Sequence, residues 1–230
     1  MTLSARPVTL AGAFNARAFV SSSTGRPWLV RSSALDALTP DGARALRALG
    51  VGRVVDLRDP GEGGPASHDV DIVAIPVYGF AGGVPELGRL EELMERVLVT
   101  RAETLARIVG TIADSSVPVS VHCTIGKDRT GLVIALAMLA AGAPEEDVID
   151  DYALSGAEVL PHRRELVARM LAERGLAAAE AAEAWRLNVQ SPPEVMRAVI
   201  AWLATRGGAA AFLRDHGVTE DALSRLRARL

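Results

Sequence analysis

The segment from residue 117 to residue 143 restricts the fold more than any other part of the chain. Val117-Pro-Val-Ser-Val121 reads as a buried strand, and Leu132-Val-Ile-Ala-Leu-Ala-Met-Leu-Ala140 as a helix apolar on all sides. Between them lies His122-Cys-Thr-Ile-Gly-Lys-Asp-Arg-Thr-Gly131, with the only cysteine and the only lysine of the 230 residues. A strand that passes through a tight glycine-bearing loop into a helix N-terminus turns successive backbone N–H groups towards one point. Cys123 stands at its base. The segment therefore predicts an anion cradle that contains a nucleophile.

The remaining segments extend this unit into a layered fold. Residues 27–38 pass from a short strand into a turn, and Thr39-Pro40-Asp41 opens a helix that Gly50 ends. Val51 to Arg58 predicts a buried strand ending in charge, residues 59–65 a loop, and Asp71 to Val77 another strand. Glu86 to Val109 predicts helix, interrupted near Thr100. From Pro144 onward the pattern is almost wholly helical. One helix opens at Pro144-Glu-Glu-Asp and a long segment covers 160–187. Two more open at Ser191-Pro-Pro-Glu and Thr219-Glu-Asp. The expected class is α/β, a mostly parallel central sheet flanked by helices, with a helical C-terminal half. One domain is expected over 1–230, with 1–25 as an N-terminal extension and 160–230 as a helical part placed to act as a lid. Ligands of such sheets bind beyond the carboxyl ends of the strands. Cys123 and the Asp56-Leu-Arg-Asp59 segment both fall there.

Composition narrows the function classes. A hydrophobic fraction of 49% with 23% charged residues is that of a globular protein, and a formal net charge of −3 gives no basic surface for nucleic acid. A lone cysteine excludes an internal disulfide and fits a reducing cytoplasm, the expected compartment; export without a signal peptide would leave no trace here. The first ten residues lack the apolar stretch of a signal peptide. The longest apolar run, 131–143, falls short of the roughly 20 residues of a membrane span. No stable membrane insertion is expected, and the sequence carries no mark of oligomeric state. Twenty-four arginines stand against the single Lys127, which makes its position in the cradle notable.

The spacing Cys-x5-Arg-Thr suits cleavage of a phosphoester through a thiophosphate intermediate. Cys123 must attack as thiolate, a form favoured by the helix N-terminus, by the loop N–H groups and by Arg129. Arg129 can return over the loop and grip two phosphate oxygens, most strongly as charge spreads in the transition state. The backbone of Thr124, Ile125, Gly126 and Lys127 would line the anion. Gly126 permits the tight loop and Gly131 a close helix contact. Thr130 can donate to the sulfur and ease its departure, while His122 shapes the loop through hydrogen bonds. No His/Asp/Glu cluster has the spacing of a metal site, and neither metal nor cofactor is expected.

These residues resemble the Cys-x5-Arg protein tyrosine phosphatases. In the form Gly-Lys-Asp-Arg-Thr-Gly they are similar to the atypical bacterial tyrosine and lipid phosphatases, a group with mycobacterial and listerial members. Leu29-Val-Arg-Ser-Ser-Ala-Leu, Leu38-Thr-Pro-Asp, Val54-Val-Asp-Leu-Arg58 and Asp151-Tyr-Ala-Leu-Ser155 follow the same pattern, so the resemblance covers about 25–230. It implies a tyrosine-phosphatase-like fold, Cys123 as nucleophile, Arg129 as phosphate grip, and Lys127 and Asp128 as the residues that mark the subgroup. It also implies phosphotyrosine proteins, in some members phosphoserine or phosphothreonine, and phosphoinositides as substrates. A loop lysine suits a substrate with extra phosphates. One departure is Asp59-Pro-Gly-Glu62, where a serine-rich stretch is the pattern.

Several assignments stay open on sequence. Asp128 competes with Asp56 and Asp59 as the general acid, with the resemblance favouring Asp128. Arg58, a candidate for the substrate site, and Asp56 can equally form a supporting ion pair, and Arg31 shares that ambiguity. Arg163 and Arg164 could touch a polyphosphate, or simply form an exposed basic face. Turnover of a small metabolite phosphate, or phosphate binding without turnover, are the alternative functions.

Overall fold

Four parallel strands carry the cradle, and the rest of the fold holds them in place. The computed structural model describes residues 5–230. In chain order the elements are β1 (Ala5–Pro7), β2 (Arg17–Val20), β3 (Pro27–Ser32), α1 (Pro40–Ala48), β4 (Arg53–Asp56), β5 (Asp71–Ala74), α2 (Leu90–Thr100), α3 (Ala102–Asp114), β6 (Val119–His122), α4 (Asp128–Ala141), α5 (Glu145–Arg174), α6 (Ala178–Val189), α7 (Pro193–Ala204), α8 (Gly208–Asp215) and α9 (Glu220–Arg227). The sheet order is β1-β2-β3-β6-β4-β5. Strands β3, β6, β4 and β5 run parallel, and β2 is antiparallel to both of its neighbours. The sheet is therefore mixed. Strands β1 and β2, within the segment 1–25 read from sequence as an extension, supply its antiparallel edge.

Successive side chains of β4 point to opposite faces. Val55 joins the large cluster under α2, α3 and α4, and Val54 packs with Val30, Leu35, Leu38 and Leu46 under α1. Helices thus cover both faces of the parallel strands. Every residue of α4 except Leu139 is buried, as its uniform hydrophobicity predicts. Gly142 ends it in the left-handed region at φ 97°.

The helical break expected near Thr100 falls at Arg101, which joins α2 to α3 and donates from Nε to the Tyr78 carbonyl at 2.6 Å. Thr39 and Thr219 cap their helices through their side chains, accepting from Gly42 and Ala222 N–H. The two helical segments read between 145 and 187 have a different division. Helix α5 runs unbroken for 30 residues through Pro161 to Arg174, and α6 folds back along it. Apolar residues of α7, α8 and α9, such as Met196, Phe212 and Leu223, share one core with α4. The C-terminal helices therefore belong to the scaffold, and the position over the cradle falls to α5 and α6. Among the described residues, no helix is long and apolar enough to cross a membrane.

Candidate active site

Strand β6 ends at His122, the loop runs from Cys123 to Lys127, and α4 begins at Asp128. Gly126 adopts φ 68°, and a Cβ there would lie 2.4 Å from the Ser32 carbonyl oxygen, so only glycine fits. A Cβ on Gly131 would lie 2.8 Å from the Tyr152 ring, which is the close helix contact expected of it.

The carbonyls of the loop are tied outward. Ala34 N–H donates to Thr124 O at 3.1 Å. The Asn15 amide donates to Ile125 O at 3.1 Å and Gly126 O at 2.9 Å, and Arg31 donates to Gly126 O at 2.6 Å. With its carbonyls held from behind, the loop presents N–H groups to a ligand. The hold is a buried network: Arg17 pairs with Asp151 at 2.7 Å, Arg31 with the other oxygen of the same carboxylate, and both arginines donate to Ser155. Burial pulls the Arg31 guanidinium down to about 10, against the charge of Asp151.

Cys123 is buried at 2% exposure, at the floor of a cavity of about 260 Å³. Thr124, Ile125, Asp128 and Arg129 of the cradle line it too, with Tyr78, Leu93, Leu187, Asn188, Arg163 and Glu62 from other elements. The Arg129 guanidinium stacks over Tyr78 at 4.4 Å and forms a two-pronged pair with Glu62, at 2.5 and 2.6 Å. Thr124 Oγ1 donates to the same carboxylate at 2.8 Å. Burial is the largest influence on Arg129 and opposes its charge, but the Glu62 hydrogen bonds together with the charges around the guanidinium outweigh it and raise its pKa. A carboxylate thus already engages the arginine of the cradle.

The sequence pattern of the tyrosine phosphatase family matches residues 8–230. The chain belongs to that family. Membership makes it a phosphoric monoester hydrolase. It is 27% identical to the triple specificity protein phosphatase PtpB of Mycobacterium tuberculosis, over 95% of this chain and 96% of that protein. It is 26% identical to a tyrosine-protein phosphatase of Nostoc commune, over 87% of this chain and 73% of the other. Among solved structures it is similar to TpbA of P. aeruginosa, at 20% identity and a TM-score of 0.35 over 65% of this chain and 77% of that one.

Other residues of the phosphatase lie where the sequence did not foretell. Lys127 is wholly buried, and its amine donates to the carbonyls of Leu187 at 2.8 Å and Gln190 at 2.5 Å, at the end of α6. It is not among the cavity-lining residues. In this structure the side chain expected to meet substrate instead ties the loop to the helix above it. Arg58 is likewise committed, to Asp36 at 2.5 and 2.9 Å and to Asp56 at 2.8 Å. That is the supporting ion pair left open by sequence, and it includes Asp56. His122 places Nδ1 3.2 Å from its neighbour's carbonyl and 3.8 Å from Asp56, and burial lowers its pKa. Thr130 Oγ1 is buried with no hydrogen-bond partner, so the bond to sulfur is not made in this structure.

Asp128 faces the cavity with Lys127 Nζ at 3.3 Å and the Tyr152 hydroxyl at 3.4 Å. Burial pushes its carboxyl above the ordinary range, against the pull of Lys127. Asp59 accepts from Gly79 N–H at 2.6 Å and has its other oxygen 3.5 Å from Arg129, but it is not among the cavity-lining residues. Sequence reasoning missed Asn15, Arg17, Tyr78 and Glu62. Only Glu62 had a signal: Asp59-Pro-Gly-Glu is a turn sequence, and Gly61 at φ 92° follows Pro60 as a type II turn requires.

Proposed function

We propose that this phosphatase hydrolyses phosphomonoesters through a cysteinyl-phosphate intermediate on Cys123. The observation that carries this reading is that Cys123 and Arg129 line one cavity, at the two ends of a loop whose carbonyls are tied outward. The Cys123 thiolate attacks phosphorus; the S–P bond forms as the bond to the ester oxygen breaks. The departing oxygen takes a proton from Asp128, whose carboxyl burial pushes above its ordinary range. Arg129 and the loop N–H groups hold the three phosphate oxygens while charge shifts among them. Asp128, now a carboxylate, takes a proton from water as that water attacks phosphorus. The S–P bond breaks and its electron pair returns to sulfur, to which the Thr130 hydroxyl, unpartnered before reaction, donates a hydrogen bond.

The substrates proposed are phosphotyrosine proteins, with phosphoserine, phosphothreonine and phosphoinositides beside them. Family membership and the likeness to a triple specificity phosphatase support that range. Acid quench during turnover of p-nitrophenyl phosphate, followed by peptide mass spectrometry, tests the mechanism. The reading predicts one phosphate on the peptide containing Cys123 and more of it in the Asp128→Asn variant with a good leaving group. Phosphate on another residue, or none with turnover under way, would overturn it.

A further inference from the structure

Two arginines line the cavity, Arg129 and Arg163, and they differ in one respect. Arg129 is satisfied by Glu62. Arg163, on the α5 wall, has its Nε buried without a hydrogen-bond partner, and it forms no ion pair among the described residues. The one carboxylate acting on it is that of Glu86, which itself pairs with Arg174. Burial lowers the pKa of Arg163 and outweighs the distant charge of Glu86, the mark of a charge taken partly out of water with no paired carboxylate. An unpaired guanidinium facing a cavity is offset by an anion from outside.

We propose that Arg163 is a second anion-recognising residue of this pocket, selecting substrates that carry two phosphates on one small ring, such as a cyclitol bisphosphate. This rests on the reading of the Cys123 cavity as the phosphate site. Arg129 grips the phosphate to be cleaved and Arg163 the other. Both arginines line one cavity of about 260 Å³, a size that suits two anions carried on one compact group better than residues spread along a peptide. Lys127, the cation that sequence suggested for extra phosphates, is committed to Leu187 and Gln190. Arg163, which does line the cavity, takes that place from α5. The same headgroup chemistry occurs free or on a lipid, and the assay separates the two.

The test compares the wild type with Arg163→Gln and Arg163→Lys on p-nitrophenyl phosphate, a phosphotyrosine peptide rich in Glu, soluble inositol bisphosphates and dioctanoyl phosphatidylinositol bisphosphates. Arg163→Gln is expected to lower kcat/KM on bisphosphates at least tenfold more than on p-nitrophenyl phosphate, mainly through KM, with Arg163→Lys keeping part of the difference. Equal losses on free and lipid-borne headgroups support headgroup recognition. A loss confined to the lipid, a loss confined to the acidic peptide, or equal losses on mono- and bisphosphates would each overturn it. Calorimetric binding of inositol bisphosphates to the Cys123→Ser protein, with and without Arg163→Gln, separates this proposal from the catalytic one. Tighter binding of bis- than monophosphate that Arg163→Gln erases supports it even if turnover fails; equal affinities overturn it.

Discussion

At the scale of single residues, environment separates groups that sequence leaves alike. Asp56, Asp59 and Asp128 are all aspartates near strand or helix ends, yet only Asp128 lines the cavity with Cys123. Its raised pKa sets a direction for pH dependence. The acid acts when protonated, so turnover of a poor leaving group is present below that value and lost as pH rises through it. Asp128→Asn is expected to slow an alkyl phosphate by about 10²–10⁴-fold, the usual share of general acid catalysis, and to slow p-nitrophenyl phosphate far less. The variant should also lose the alkaline limb of the kcat profile with the alkyl substrate. Steady-state kinetics across pH check both. Equal slowing of the two substrates would remove Asp128 from that role.

At the scale of elements, two connections govern the cradle. The first runs from the loop to α6 through Lys127, whose amine serves carbonyls that a helix end leaves without partners. Lys127→Met keeps the bulk but strands those carbonyls, at about 1–3 kcal/mol. That corresponds to a fall in melting temperature of roughly 2–12 °C for a chain of this size, measurable by calorimetry. A change within error would mean that the tie is idle. The second is the turn after β4, which aims Glu62 at Arg129. A fixed carboxylate on the guanidinium competes with an incoming phosphate, because two anions sharing one cation repel. Glu62→Gln is expected to tighten competitive inhibition by inorganic phosphate by roughly tenfold, about 1.4 kcal/mol. Weaker inhibition would show that Glu62 aligns Arg129 instead of competing for it.

At the scale of the molecule, carboxylates paired with arginine tie stability to pH. Arg58 holds Asp36 below its ordinary range. Burial pushes Asp56 and Glu62 up, but their hydrogen bonds and the positive charges beside them, chiefly Arg58 and Arg129, together outweigh it and their pKa values are also lowered. A lowered folded-state pKa gives stability that is present above the unfolded value and lost as pH falls through the folded one. The melting temperature should therefore hold from neutral pH to about 5 and drop below about 4. A flat profile down to about 3 would contradict that. Much of the fold was legible from residues 122–131, because a strand, a glycine loop and a buried helix admit few arrangements, and the parallel strands followed from apolar runs at 51–58 and 117–121. The supporting shell was not. Asn15 and Arg17 lie more than a hundred residues from the carbonyl and carboxylate they serve, and no local pattern announces so distant a contact. Lys127 was read by its place in the loop, whereas the packing of α6 against that loop decides where its amine goes. The central claim is that Cys123 is the nucleophile. The measurement that tests it most directly is release of p-nitrophenol from p-nitrophenyl phosphate, with EDTA present, by wild type and Cys123→Ser. The account predicts turnover by the wild type and none by the variant; turnover surviving in Cys123→Ser would contradict it.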